Sequence, residues 1–497
     1  MDILTGSATA LVMMPLLAAV LIFLLGSRFL KGLFFLTLLI LWSSLYPLTQ
    51  AVWQQSILIF KLGNWGMPLG IEWRIDGLSL FMLWLSVVVG SAISGYALSY
   101  FSQYKDKYKA ELFWPLWLLL WSGLNGLFLS ADIFNLYVTL EILTLAAVPL
   151  IVLSGGLTAM QAGMRYLMIA LLASALYLLG VALLYASYGT LDLYLLSERI
   201  ELTPLTMTAI MLLVLGLLTK SALFPLHFWL PPAHAGAPAP VSALLSALVV
   251  KATLYLLIRL WLYLIPNTVL PSMGFLLGLL GAMAIIWGSL QALRQTRLKL
   301  IIAYSTVAQL GYMFLLFPLV LEMDSPISLM AWQGGLYQML THGFAKAALF
   351  MAAGNLLYAL KTDELSELKG RMQAYPLTLF ALALAGVSIM GMPPSGGFVA
   401  KWLLLNAAFS SAQWWLVTVI LIGGLLSASY MFRVLRYAFI NPNLNSPKLD
   451  ALTPLPRTME LLPLILAAIS IILGFISYQP LAVLEMGSPF VTGSIKQ

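Results

Sequence analysis

Apolar residues run in blocks of about 20 along nearly the whole chain, and short stretches carrying charges and turn formers separate them. A block of that length is what an α-helix needs to cross the hydrocarbon core of a bilayer. The blocks lack the residue-by-residue alternation that marks the strands of a membrane β-barrel. Fourteen of them read as helices: 8–26, 30–48, 78–101, 113–130, 132–154, 161–187, 205–230, 238–262, 270–292, 299–320, 327–359, 376–407, 413–440 and 458–478. The segment 52–77 breaks the pattern. Its stretch SILIFKLGNWGMPLGIEWRID holds two short β-prone runs around Gly and Pro, which predicts a β-hairpin outside the membrane. Residues 190–203 and 362–372 carry too much charge to span and are assigned to the interface or to loops.

Composition agrees with this pattern. The chain is 62% hydrophobic and only 9% charged, where a soluble domain carries about 25% charged residues. The predicted fold class is therefore an all-α integral membrane protein of 14 transmembrane helices. The first block has no basic n-region and no cleavage site, so it is expected to stay as a helix.

Placing the N-terminus outside and alternating sorts the charges. Sixteen of the 25 basic residues then fall on the inner side: Arg28, Lys31, Lys105, Lys107, Lys109, Arg165, Arg294, Arg297, Lys299, Lys361, Lys369, Arg371, Arg433, Arg436, Lys448 and Arg457. Lys61, Arg74, Arg199, Arg259 and Lys496 fall outside. This is the bias expected of cytoplasmic loops, with both termini external. It also accounts for the net charge of +7 without nucleic acid.

The chemistry available is narrow. The chain has no cysteine, which excludes disulfides, thiolate metal sites and iron–sulfur ligation. Its three histidines form no metal-ligand cluster, and no Gly-rich phosphate loop follows a strand, so no cofactor is expected. Four lysines, Lys220, Lys251, Lys346 and Lys401, lie inside spans, and Glu141 is the lone acid there. An ionised group at mid-membrane costs at least about 2.5–3.5 kcal/mol. One acid cannot neutralise four lysines. Taking an ammonium out of water favours its neutral form, so a file of such lysines can pass protons.

Two spans are also broken. Pro225 interrupts the seventh just after Lys220, and Pro393, Pro394, Gly396 and Gly397 interrupt the twelfth just before Lys401. Proline frees backbone carbonyls, which a membrane tolerates only against protein or water. An offset of five spans inverts the direction through the membrane. The pattern thus predicts two inverted five-helix repeats, spans 4–8 (113–262) and 9–13 (270–440), flanked by 1–112 with the hairpin and by 441–497 with span 14 and an external tail. His342 and Lys346, four residues apart, share a helix face and can relay protons or brace. His227 reads as a brace beside the seventh span. His234 lies at its cytoplasmic mouth, where it can cap or admit protons.

These stretches carry a family resemblance: ADIFNLYVTLEIL with Glu141, TKSALFPLHFWLPPAHAGAPAPVSALLSALVVKA with Lys220 and Lys251, LIIAYSTVAQLGYM, THGFAKAALFMAAG with His342, and GMPPSGGFVAK with Lys401. The chain resembles the proton-conducting antiporter-like subunits of respiratory complex I, membrane-bound hydrogenases and Mrp-type multisubunit Na⁺/H⁺ antiporters. The resemblance implies a fourteen-helix fold and proton-transfer roles for Glu141, Lys220, Lys251 and Lys401. LGNWGMPLGIEWRIDGLSLFM resembles the D subunit of Mrp antiporters. The length of 497 residues argues against the longest complex I subunit and the large A subunit of Mrp, and Lys401 against the complex I subunit with glutamate in the twelfth span. Pro232 stands where the family's motif has an aspartate, which puts in doubt any uptake route through that carboxylate. The resemblance implies a secondary-transporter subunit rather than an enzyme. It implies other membrane subunits as partners, protons with Na⁺ or K⁺ as the ions moved, and a bacterial inner membrane as the location.

Overall fold

The computed structural model describes residues 3–68, 70–103, 107–322, 325–440 and 453–490. The N-terminal part comprises α1 (Ile3–Leu25), α2 (Leu30–Gln55), the strands β1 (Leu58–Lys61) and β2 (Glu72–Ile75), and α3 (Gly77–Ser102). A first large group follows: α4 (Lys107–Leu129), α5 (Ile133–Val152), α6 (Leu157–Tyr188), α7 (Leu193–Arg199), α8 (Pro204–Lys220), α9 (Leu230–Gly236), α10 (Ala239–Leu244) and α11 (Val250–Tyr263). A second comprises α12 (Leu270–Arg294), α13 (Leu298–Phe314), α14 (Pro326–Leu360), α15 (Leu365–Leu368), α16 (Pro376–Met390), α17 (Gly396–Ser410) and α18 (Trp414–Phe439). Then come α19 (Arg457–Ile472) and α20 (Tyr478–Glu485).

Every predicted block is helical over most of its length. Among the described residues, ten helices are long and apolar enough to cross a membrane, counting α10 and α11 as one; α8, α13 and α16 are apolar but shorter. This is a multi-pass helical membrane protein. Its outer helices point large apolar side chains away from the fold: Phe23, Leu39 and Leu425 are about two-thirds exposed or more (68%, 67% and 71%). Lipid satisfies such a surface and water would not.

The centre is α14 with α10–α11, both almost entirely buried. Small residues allow this. A Cβ at Gly354 of α14 would run into that of Ala239 on α10, so glycine lets the two backbones meet. The helices that carry the buried lysines therefore touch without bulky spacers.

The hairpin forms as predicted, antiparallel with Leu58 opposite Ile75 and Lys61 opposite Glu72. Its start differs, because α2 runs on to Gln55 and Pro47 lies within it. The charged segments hold short helices, α7 and α15. Loops assigned to one side meet one another: Trp73 bridges Ser130, Asp132 bridges Asp192, and the Gly77 N–H donates to the Met486 carbonyl at 2.8 Å. On the other side Arg297 bridges Glu364 and pairs with Asp363 at 3.0 Å. Lys105, Lys448, Lys496 and the side chain of Lys107, used in the charge count, lie outside the described residues, as do 441–452 and 491–497.

Two expectations are corrected. Arg259, assigned to the outer side with the loop cations, is buried within α11, and Glu141 is not the lone buried acid. The Arg259 guanidinium grips Asp76 with both arms, Nη1 to Oδ2 at 2.5 Å and Nη2 to Oδ1 at 2.6 Å. Nη2 also donates to Ser79 Oγ (2.8 Å) and Nε to Tyr255 OH (3.1 Å). Asp76 meanwhile caps α3 by accepting the Ser79 N–H at 2.9 Å. The start of α3 and the segment around Met486 cover this end of α11, so a cation near a span end is enclosed.

Burial alone would raise the Asp76 pKa, but the adjacent Arg259 charge and its hydrogen bonds hold it below the ordinary carboxylate value. The pair's stabilisation is therefore present above the unfolded carboxyl range, about pH 4, and is lost as pH falls through the lower folded value. Asp76→Asn leaves a buried, unpaired guanidinium and should cost about 3–5 kcal/mol. The double variant Asp76→Leu/Arg259→Met should regain most of this. Thermal unfolding of the purified chain checks both, and equal losses for single and double variants would contradict a pair held by charge.

Candidate functional site

Lys220 is the last residue of α8. Its ammonium has three protons to donate, and three acceptors on α5 receive them: Glu141 Oε1 at 3.0 Å, Thr144 Oγ1 at 3.2 Å and the Leu140 carbonyl at 3.5 Å. Glu141 Oε1 also accepts from the Ser174 hydroxyl on α6. The lysine side chain is 6% exposed and the glutamate 18%. The structure thus joins the buried acid to the lysine at the helix break. Beyond Lys220 the chain leaves helical geometry until Leu230. Pro225 lies in this break, and the Trp229 indole donates at 3.0 Å to the Thr219 carbonyl, which also accepts from the Ala222 N–H. His227 is buried in the same break with its ring 5.5 Å from that of Phe224, and its Nδ1 has no partner among the described residues.

The second break is built differently. α16 stops at Met390, and Gly391 turns the chain with φ +77°. Pro393 and Pro394 lie in the gap; Gly396 and Gly397 open α17, which Ser395 caps. Lys401, one turn into α17, reaches back to the last carbonyls of α16, Ile389 at 2.9 Å and Met390 at 3.2 Å. Those carbonyls have no helical partner and form the negative end of the helix dipole, so a cation satisfies them. Gly391 is needed twice: its φ is left-handed, and a Cβ there would strike the Lys401 side chain. The Lys401 ammonium also lies 4.3 Å from the centre of the Tyr312 ring.

Between the breaks lie the fully buried Lys251 and Lys346. Residues Leu245–Val249 form a π-helical turn, where the Val250 N–H donates five residues back to Leu245. Lys251 folds back onto the Ser246 carbonyl of this turn. Such turns leave carbonyls open to other donors and recur at functional sites. Ser246 Oγ contacts Thr306 Oγ1 at 3.0 Å, Thr306 donates to the Ile302 carbonyl at 3.1 Å, and Lys346 donates to that carbonyl at 2.8 Å and to the Ser305 hydroxyl. Polar groups of Ser246, Thr306, Ser305 and Ile302 therefore lie between Lys251 and Lys346 along α13. Farther along α13, Gln309 accepts from Gln338 at 2.8 Å and donates to Ser427 at 3.2 Å. Lys251, Lys346 and Lys401 contact no carboxylate among the described residues, so hydroxyls, carbonyls and a ring provide their stabilisation.

His342 shares the α14 face of Lys346, is buried, and has no partner at either ring nitrogen among the described residues. Lys251, Lys346 and Lys401 are all within electrostatic reach of it. His234 corrects an expectation. It is not at a mouth but fully enclosed, stacked on Phe350 at 4.6 Å between ring centres, with both nitrogens unpartnered among the described residues. Lys299, Lys346 and Lys251 are the cations that act on it. Lys299, counted with the inner loops, is itself buried and donates to the Ala237 carbonyl at 2.6 Å, which closes α13 over the α9–α10 junction.

The contacts among Ser246, Thr306 and Ile302, and the Gln309–Gln338 pair, were not singled out from sequence. Their signal was the polar run Ser305, Thr306 and Gln309 inside an otherwise apolar block. Among the described residues no hydrogen bond or ion pair links the Glu141–Lys220 pair to Lys251, whereas Lys251, Lys346 and Lys401 all lie within electrostatic reach of His342.

Residues 130–427 match the family described as NADH:quinone oxidoreductase/Mrp antiporter, TM. The chain is 37% identical over 402 residues to the N subunit of the NADH-quinone oxidoreductase of Desulforudis audaxviator, covering 80% of this chain and 78% of that one. It is 31% identical over 431 residues to the D subunit of the Na⁺/H⁺ antiporter of Alkalihalophilus pseudofirmus, covering 85% and 84%. Its fold superposes with a TM-score of 0.85 on a chain in the structure of the Mrp complex from Dietzia sp. DQ12-45-1b, at 24% identity and 98% coverage of each.

The Ser246–Thr306 contact is testable by itself. Thr306→Val strands the Ser246 hydroxyl and should cost about 1–3 kcal/mol, whereas Ser246→Ala leaves Thr306 its bond to the Ile302 carbonyl and should cost less. The double variant should cost less than the sum by about 0.5–3 kcal/mol. Unfolding midpoints of the four proteins measure this coupling, and strict additivity would mean that the two hydroxyls do not bond.

Proposed function

We propose that this chain, which belongs to the NADH:quinone oxidoreductase/Mrp antiporter transmembrane family, is the proton-translocating membrane subunit of a multisubunit Na⁺(K⁺)/H⁺ antiporter. Protons move along Glu141, Lys220, Lys251, His342, Lys346 and Lys401, with His227 and His234 as accessory groups. The observation that carries the reading is the 3.0 Å contact between Glu141 and Lys220 at the end of an interrupted helix. While the pair is closed, the carboxylate stabilises the charged lysine. When it opens, the ammonium loses its counter-ion in a low dielectric, and its proton is driven toward Lys251. The Ser246 and Thr306 hydroxyls lie on the way onward to Lys346, and the Ile302 carbonyl, which accepts from both Thr306 and Lys346, orients them and carries no proton itself.

The same reading takes the chain as fourteen spans with both termini outside a bacterial inner membrane, and 113–262 and 270–440 as inverted repeats. Its support is that loops of like side meet, and that the two interrupted helices stand five blocks apart. The breaks at Pro225 and at Pro393–Gly397 give water access to Lys220 and Lys401 from opposite halves of the membrane. A second reading, a proton-pumping subunit of an NADH dehydrogenase or hydrogenase, draws on the 37% identity to the oxidoreductase relative, above the 31% to the antiporter relative. Mass identification of the proteins that co-purify with the chain separates the two: flavin and iron–sulfur subunits would favour the second.

Glu141→Ala and Lys220→Ala should each abolish or severely reduce exchange while the complex still assembles. Glu141→Asp, shorter by one methylene but charged, should keep partial activity with a shifted pH optimum. Cation-dependent ΔpH collapse in everted vesicles measures this across pH, with complex abundance checked on native gels. Wild-type exchange from an assembled Glu141→Ala complex would leave the pair as helix glue only.

A further inference from the structure

Away from the proton-transfer residues, the end of α18 borders a groove of about 860 Å³. Lys369, Arg433 and Arg436 line it, and no acid does among the described residues lining it. The groove lies on the side of the molecule that carries the Arg297–Asp363 pair. We propose that it holds the phosphate headgroup of an anionic glycerophospholipid.

The walls are built rather than incidental. The Gly370 N–H donates to the Tyr437 carbonyl at 3.0 Å, and Gln373 Nε2 donates to the Ala438 carbonyl at 2.8 Å. These two bonds tie the segment bearing Lys369 to the last turn of α18. Arg433 donates to the Leu293 carbonyl near the end of α12, which fixes its guanidinium in the groove. Three cations from two segments thus line one groove with no carboxylate among the described residues lining it, which gives the groove a positive potential that favours an anion.

The rest of the lining says which anion. Phe432 and Phe439 point outward, 52% and 71% exposed, and Leu435 and Ile440 complete an apolar wall. A free phosphate would leave that wall and most of the volume unused. A phospholipid fills both parts, its phosphate among the cations and its acyl chains along the aromatic face that continues onto the lipid-exposed surface of α18. Aromatic rings and basic side chains at this level are the pairing found where headgroups meet hydrocarbon.

The test uses the full chain, alone in detergent and in its purified complex. Retained lipid is counted by native mass spectrometry after titration with dioleoyl-phosphatidylglycerol or dioleoyl-phosphatidylcholine, and inorganic phosphate is the third probe. Phosphatidylglycerol should bind and phosphatidylcholine should not compete with it. Each basic residue near a headgroup contributes about 1 kcal/mol, so Lys369→Gln/Arg436→Gln should weaken phosphatidylglycerol binding about 30-fold and Arg436→Gln alone about fivefold. Among the described residues neither donates to a backbone carbonyl as Arg433 does, so both variants should fold, and an unchanged unfolding midpoint without lipid checks this. Equal retention of the two lipids, unchanged phosphatidylglycerol binding in the double variant, or equal stabilisation by inorganic phosphate would each overturn the proposal. So would loss of a neighbouring protein from the double-variant complex with its lipid content unchanged, since the groove would then hold protein.

Discussion

An ammonium taken into a membrane-embedded fold needs up to three acceptors, and it needs negative potential in a medium that screens poorly. Among the described residues the structure meets this need at five buried lysines, with a carboxylate as acceptor only at Lys220; Lys299 uses the Ala237 carbonyl. Lys220 uses a carboxylate, a hydroxyl and a carbonyl. Lys401 uses the carbonyl end of a stopped helix and an aromatic face. Lys251 uses the carbonyl of a π turn, and Lys346 a carbonyl that also accepts from Thr306. Much of the unusual backbone geometry at the centre is explained by the supply of these acceptors. A regular helix bonds its carbonyls internally and has few to spare, so the helices at Lys401 and Lys251 stop or widen, while Lys220 and Lys346 share carbonyls of the regular helices α5 and α13.

The two interrupted helices solve this with opposite halves. In the first the lysine ends the arriving segment and looks to a neighbouring helix for its acid. In the second the lysine begins the departing segment and looks back to its own predecessor. The first arrangement depends on how α8 sits against α5, so relative motion of those helices changes it. The second takes its carbonyls from one stretch of chain, so those bonds stay intact when neighbours shift, and only the Tyr312 ring comes from another helix, α13. A groups-in-line reading of the lysines misses this difference, because it treats them as equivalent stations.

Much of the helical framework was legible in the sequence because apolar length and charge asymmetry are summed over many residues, and single errors do not disturb them. The Glu141–Lys220 pair was legible for a related reason: two charges stranded in apolar blocks have few other ways to be stabilised. Arg259 was not, because a cation near the end of a block looks like a loop cation until Asp76, from a distant part of the chain, is seen to cover it. His234 was misplaced for the same reason, since α13 closes over its loop through Lys299 and the Ala237 carbonyl. The polar contacts along α13 depend on which small polar residues face each other between helices, and apolar length says nothing of that. Ser305, Thr306 and Gln309 in an apolar block were the available sign.

The π turn at Leu245–Val249 also changes the geometry of the whole helix. Each residue advances an α-helix by about 100°, and a π turn inserts one residue without advancing the axis by a full step. Residues on its two sides therefore obey different angular phases. A helical wheel drawn straight through 239–263 would put Lys251 on the wrong bearing relative to Val241 and the rest of α10. The turn acts as a phase shifter: it lets α10 keep its packing against α14 while the half carrying Lys251 is rotated independently, so two requirements that one rigid helix could not meet together are assigned to two halves of the same rod.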